Sequence, residues 1–232
     1  MEIEVIVQNG EEAEQAEKMG ANHLELVSAI SEGGLTPSYG TIKQVLRKVS
    51  IPVYVMIRPF SYHYYYQRDD LEIIYEDIRK VTELGGTNIV FGALNRDRTV
   101  NEEILESIIK IAPDVEITFH RAFDETASLI EAYRTLVKYK ENVKTILTSG
   151  GAVDCETGQE ALAMIVKESK VLNGPSIMPG SGLSLGNIRE MHEKVGAKKY
   201  HFGKAVRIDH SFANGFDEQI MEQLTSKNFK FK

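Results

Sequence analysis

The chain has 232 residues, 42% of them hydrophobic and 26% charged, and a formal charge of −7. That length can bury a substantial core, and the acidic balance argues against bulk binding to nucleic acid or anionic membrane, both of which need a basic surface. One cysteine, Cys155, excludes an intramolecular disulfide and suits a reducing, cytoplasmic compartment; no apolar stretch reaches spanning length, and no secretory signal is expected from Met1-Glu2-Ile3-Glu4.

Residues 3–7 form the first β-prone run, and a helical segment at 11–19 ends at Gly20. The second run, 23–26, leads to a helix at 39–49 that stops before Ile51-Pro52. After the run at 53–57, residues 71–84 place Leu71, Ile74, Ile78 and Val81 on one helical face and end at Gly85-Gly86. The run at 88–91 precedes a helix at 102–111 that halts at Pro113, and the run at 115–119 precedes a helix at 128–138. Beyond 144–147, Thr157-Gly158-Gln159-Glu160 reads as a capping box opening a helix to about residue 171. The run at 176–178 is followed by a helix at 185–195, with Ser184 as its expected cap and Gly196 as its end. Residues 199–202 are the eighth run, and 217–224 supply the last helix.

Strand-like runs and helices therefore alternate at a mean spacing of roughly 28 residues, as β/α units do. Eight such units predict a closed (β/α)8 barrel, for which about 250 residues is typical. An open doubly wound sheet uses the same alternation, but no Gly-x-Gly-x-x-Gly follows the first run. With no linker and no composition break, residues 1–232 read as one domain, its last helix and tail at about 208–232.

In such a barrel the working face lies where strands end. The ends offer Glu25, Arg58, Gly92, then His120 with Arg121 and Asp124, then Thr148-Ser149-Gly150-Gly151 and Gly180-Ser181-Gly182, whereas the strand starts offer far less. Glu25 is a candidate general base, or a partner for Arg58 or Arg121; a structural ion pair is the plainer alternative. Arg58, fixed before Pro59, suits carboxylate or phosphate recognition, or simply neutralises Glu25. His120 and Arg121 are adjacent, so in a continuing strand they point to opposite sides. His120 is expected to face inward and exchange a proton near neutral pH, unless it is a satisfied core histidine. Asp124 completes the candidate catalytic set, and bonding to Arg121 would fix the loop. The glycines of Ser149-Gly150-Gly151 and Gly180-Ser181-Gly182 let backbone N–H groups approach an anion, though short glycine turns are also ordinary connectors. Ser61-Tyr62-His63-Tyr64-Tyr65-Tyr66-Gln67 is an aromatic loop suited to a subunit contact, to closing over a ligand, or to plain packing. No local spacing supports zinc or copper, so no metal ligands are assigned; Cys155 alone is a poor Cu(I) site, and Met56 and Met178 read as core filler.

The segment Ser31-Glu32-Gly33-Gly34-Leu35-Thr36-Pro37-Ser38-Tyr39-Gly40 resembles the hallmark of the CutC family of copper homeostasis proteins. Val55-Met56-Ile57-Arg58-Pro59, Val90-Phe91-Gly92-Ala93-Leu94, Thr118-Phe119-His120-Arg121-Ala122-Phe123-Asp124, Ile146-Leu147-Thr148-Ser149-Gly150-Gly151 and Met178-Pro179-Gly180-Ser181-Gly182 agree, in the family's order. The resemblance implies a TIM-type barrel, a cytoplasmic homodimer or higher homo-oligomer, and a role in copper tolerance with Cu(I) as the possible cofactor. Many members resemble Glu-Leu-Cys-Ser before the hallmark, with the cysteine as a proposed copper ligand; here Glu25-Leu26-Val27-Ser28 offers valine. After the eighth run this chain reads His201-Phe202-Gly203-Lys204, and Lys204 could serve an anion. Two functions follow: copper handling, as the family implies, or a barrel enzyme (lyase, isomerase or hydrolase) acting on a small anionic or phosphorylated substrate, with Glu25 and His120 as acid and base.

Overall fold

The computed structural model describes residues 1–226. Parallel strands and helices alternate throughout: β1 (Glu2–Val7), α1 (Gly10–Lys18), β2 (His23–Leu26), α2 (Tyr39–Lys48), β3 (Val53–Met56), α3 (Arg68–Glu83), β4 (Asn88–Phe91), α4 (Glu102–Ile111), β5 (Glu116–Phe119), α5 (Leu129–Val137), β6 (Val143–Thr148), α6 (Gln159–Leu172), β7 (Ser176–Pro179), α7 (Ile188–Val195), β8 (Lys199–Phe202) and α8 (Glu218–Thr225). The strands form one eight-stranded sheet in the order β7-β6-β5-β4-β3-β2-β1-β8. β8 returns to lie beside β1, and the ring closes on β7 through one isolated parallel bridge, Gly180 to His201. This is the expected (β/α)8 barrel.

Successive side chains of a strand point to opposite faces, and that sorts the apolar residues into two layers. Ile3, Val5, Val7, Leu24, Leu26, Val53 and Val55 belong to the large core packed under the helices. Ile6, Val27, Tyr54, Met56 and Val90 make a smaller cluster in the barrel interior. Glu4 shares its parity with Ile6, Glu25 with Val27, and His201 alternates with the outward Tyr200 and Phe202, so three titratable groups enter the interior. The outer layer supplies most of the stabilisation, since each fully buried aliphatic side chain contributes roughly 1.5–3 kcal/mol.

Three of the helix starts that differ from the sequence reading have a visible cause. α3 opens at Arg68, three residues early, because the Gln67 N–H donates to Asp70 Oδ2 at 2.8 Å and adds a charged turn invisible to apolar periodicity. Thr157 does not cap α6; its N–H donates to Asp154 Oδ1 at 2.8 Å, and Gly158 holds the N-cap position. A Cβ on Gly158 would lie 1.8 Å from the Ser149 carbonyl oxygen, so close backbone approach selects glycine there. Ser184 gives its N–H to Asn187 Oδ1 at 2.8 Å, and α7 begins only at Ile188. The end of the predicted tail, 227–232, lies outside the described residues. Among the described residues no helix is long and apolar enough to cross a membrane.

Candidate functional site

The C-terminal ends of the strands open into a cavity of about 860 Å³. Glu25, Arg58, His120, Arg121, Asp124, Gly151, Gly180, Ser181 and Gly182 line it, whereas Ser149 and Gly150 do not. At its floor Glu25 meets two residues not singled out for the site, Glu4 and His201. They converge because β1 stands between β2 and β8, with Glu4 opposite His201 and Ile6 opposite Glu25. His201 Nδ1 lies 2.9 Å from Glu4 Oε1, and its Nε2 lies 3.7 Å from Glu25 Oε2. Burial pushes the Glu25 carboxyl up to about 7; a charged His201 opposes that rise and Glu4 reinforces it. Burial alone would depress His201, but the two carboxylates outweigh it and raise its pKa. Glu25 therefore pairs with neither Arg58 nor Arg121, and its Oε1 is buried without a partner. A signal existed for Glu4: strands of a parallel barrel read as nearly continuous apolar runs, and a glutamate inside one is out of place.

Arg58 is only 6% exposed. Its guanidinium donates to the carbonyls of Glu32 (3.2 Å), Gly34 (3.4 Å) and Ser61 (3.1 Å), and lies 4.9 Å from the Tyr64 ring centre. Among the described residues it has no carboxylate partner, and its Nε has no acceptor. It therefore brings a largely desolvated positive charge to the cavity wall.

β5 stops at Phe119, and the chain turns at His120 into a short 3-10 helix, Arg121–Glu125. The turn releases His120 and Arg121 from strand alternation, so both reach the cavity. His120 Nδ1 accepts the Ala122 N–H at 3.2 Å, which puts the proton of the neutral ring on Nε2. That Nε2 is buried and unpartnered. Burial, with help from Arg58, pushes the His120 pKa down to about 3. The expectation of proton exchange near neutral pH is corrected here: His120 stays neutral and offers a hydrogen-bond donor.

Asp124 also has a different occupation from the expected acid–base role. The Thr148 hydroxyl donates to Oδ1, as does the Gly151 N–H at 2.9 Å; the Ser149 hydroxyl donates to Oδ2 at 3.0 Å. The Ser149 N–H approaches both oxygens at 3.1 Å, and Arg121 Nε donates to Oδ2 at 2.8 Å. Gly150 gives its N–H to Thr148 Oγ1 at 2.9 Å. The Ser149 and Gly151 amides, expected to receive an external anion, already hold the protein's own carboxylate. Arg121 is drawn into the same network through Ser149 Oγ at 2.9 Å.

The loops after the last two strands are different. Gly182 and Leu183 after β7, and Gly203, Lys204 and Ala205 after β8, line the cavity. Among the described residues none of their N–H groups has an acceptor. The aromatic loop divides its roles: Tyr64 walls the cavity beside His120, Tyr66 packs on Phe91, and Tyr62 is 84% exposed.

Cys155 is buried, its Sγ donating to the Gly180 carbonyl at 3.2 Å, and burial followed by the Asp124 charge pushes its thiol up to about 12. The native protein is therefore expected to resist a thiol reagent such as Ellman's at pH 8 and to react fully once unfolded. Fast labelling of the folded protein would contradict this.

Residues 1–206 match the model of the CutC family. The chain belongs to the CutC family. It is 35% identical over 199 residues to the human protein named copper homeostasis protein cutC homolog, covering 86% of this chain and 71% of that one. A CutC structure from Streptococcus agalactiae superposes with a TM-score of 0.80 at 27% identity, covering 88% of this chain and 98% of that one. N-(5'-phosphoribosyl)anthranilate isomerase from Pyrococcus furiosus shares the fold alone, at TM-score 0.61 and 12% identity over 97% of this chain and 96% of its own.

The CutC hallmark now has a physical reading. Gly33 and Gly34 adopt φ of +80° and +90°, which lets the loop fold over Val27 while Arg58 gathers its carbonyls. A Cβ on Gly34 would lie 3.1 Å from Val27 Cγ1. Cu(I) prefers thiolate and thioether ligands. Here the one thiol is protonated and turned to a carbonyl, Val27 is an interior hydrophobe, and among the described residues the group of His, Cys, Asp or Glu side chains able to converge on an ion is Glu4, Glu25 and His201, a carboxylate and imidazole set. These residues do not fit a Cu(I) site.

Proposed function

We propose that this CutC-family barrel binds and acts on a small phosphorylated anion, and that any part it has in copper homeostasis runs through that ligand and not through Cu(I) held on its own side chains. The observation that carries this reading is Arg58, a buried guanidinium with no carboxylate partner on the wall of a cavity. Such a charge is costly unless something anionic compensates it. The unclaimed amides after β7 and β8 add to it, because barrels commonly bind phosphate there, next to a short extra helix; here the 3-10 turn Lys204–Val206 occupies that place. Lys204 adds a positive charge beside them. The reduced, buried thiol suits a cytoplasmic setting, and the exposed Tyr62 suits contact between copies in a homo-oligomer.

Calorimetric titration with inorganic phosphate tests the reading. Binding is expected, weakened about tenfold by Arg58→Met, or about 1.4 kcal/mol. In parallel, reduced protein in a Cu(I) competition titration is expected to bind no copper tighter than micromolar. Absence of phosphate binding, together with stoichiometric tight Cu(I) binding lost in Cys155→Ala, would overturn it.

A further inference from the structure

We infer that the site, given the phosphorylated ligand proposed above, enolises a carbon acid: Glu25 takes a proton from the carbon beside a carbonyl, and the neutral His120 Nε2–H holds the oxygen on which charge develops. Three buried polar atoms on the cavity side chains lack partners, Arg58 Nε, Glu25 Oε1 and His120 Nε2, and the last two are complementary in kind, one an acceptor and one a donor. Residues that need only be stable seldom leave such atoms unsatisfied. Glu25 Oε2 faces His201, whose other nitrogen is held by Glu4, so Oε1 is the oxygen left for a ligand. A carboxylate poised near neutrality and an imidazole kept neutral, both lining one cavity, are suited to separate tasks, base and electrophile.

The electron count closes without any other reactant. The C–H bond breaks as its proton goes to Glu25 Oε1, its electron pair forms the C=C bond, and the carbonyl π pair moves to oxygen. That oxygen accepts from His120 Nε2–H in a cavity whose wall Arg58 gives a positive potential. Return of the proton from Glu25 to the neighbouring carbon gives an isomer, provided that His120 Nε2 gives its proton to the former carbonyl oxygen and takes one from the neighbouring hydroxyl, which becomes the new carbonyl. Hydrolysis fits less well, because a histidine that does not protonate at neutral pH cannot assist a leaving group as a general acid. The substrate class is a small α-hydroxy carbonyl compound carrying phosphate at the end remote from the carbonyl.

Phosphoglycolohydroxamate, a mimic of a phosphorylated enediolate, and 2-hydroxyethyl phosphate, which has the phosphate but no enediolate, separate the claims in calorimetric titrations at pH 7.5. The hydroxamate is expected to bind at least tenfold tighter. Glu25→Gln and His120→Phe should each erase that preference while leaving 2-hydroxyethyl phosphate affinity within twofold, which also shows that the variants are folded. Equal affinities in the wild type, or a preference that survives both substitutions, overturn the enolisation and leave the phosphate reading standing. Failure of both probes to bind removes the phosphate reading and this inference with it.

Discussion

Asp124→Ala lowers stability by about 3–5 kcal/mol in a denaturant titration, the largest loss expected from any one cavity residue. Its side chain is only 8% exposed, and it receives the Thr148 and Ser149 hydroxyls, the Ser149 and Gly151 amides, and Arg121. Hydrogen bonds to an ionised acceptor contribute about 1.5–3 kcal/mol each, although a cluster such as this does not add in full. Deleting the carboxylate strands the buried Ser149 amide and the Thr148 hydroxyl, while the exposed Gly151 amide and the half-exposed Arg121 can turn to water. Asp124→Asn is the milder variant: it keeps the volume but offers one acceptor oxygen, and its NH2 faces donors, so about half the loss remains. A loss under 1 kcal/mol for the alanine variant would mean that the β6 loop is held by other contacts. If Asp124 were instead a general base, the asparagine variant would lose turnover with its stability intact.

Stability of the wild type declines between pH 4.5 and pH 7, and Glu25→Gln removes most of that slope. Burial raises the folded carboxyl from its ordinary 4.5 to about 7. Below pH 4.5 folded and unfolded chains are both protonated at this position, and the full contribution is present. As pH rises the unfolded chain releases its proton first, so the unfolded state gains, and above about pH 7 the contribution is gone. The span is at most about 3 kcal/mol. His201, also raised, works in the same direction, since its imidazolium is favoured in the folded state and is lost as pH passes its folded pKa. Denaturant titrations at pH 5, 6, 7 and 8 on both proteins provide the measurement; parallel slopes in the two would show that Glu25 is not the titrating group. Carboxylates at the surface with lowered pKa values, such as Glu14 paired with Lys48 and Glu17 bonded to Ser50, pull weakly the other way.

The fold was legible because its signal is periodic. Runs such as Val53–Met56 and faces such as Ile74, Ile78 and Val81 repeat in a pattern that only a β/α alternation satisfies. Glu25, Arg58 and His120 were legible because titratable groups ending buried strands are costly unless used. Their electrostatics were not legible. Whether His120 titrates at neutral pH depends on how deeply it is buried and on Arg58 nearby, and no local pattern encodes either. Glu4 and His201 escaped for a related reason: a glutamate inside an apolar strand is a signal that something is there, but only the return of β8 to β1 sets it beside His201. The Ser149-Gly150-Gly151 loop misled because a glycine turn has the same composition whether its amides await a ligand or hold Asp124. Thr157 misled likewise, since a capping-box spelling says nothing of the Ser149 carbonyl that forces Gly158 to approach so closely.

β8 joins β1 through a continuous ladder but, among the described residues, pairs with β7 through one isolated bridge, and that bridge unites Gly180 and His201, two residues of the cavity wall. Glu4 and His201 are separated by 197 positions along the chain, so the floor of the pocket does not exist until the ring has closed. Closing so long a loop costs entropy that only the final contacts offset. A phosphate lodged between the β7 and β8 loops would rest on amides from both sides of the gap and act as a clasp. Ligand occupancy and ring closure are then one equilibrium, and amide hydrogen exchange in β7 and β8 should slow on binding while β3 and β4 stay unchanged.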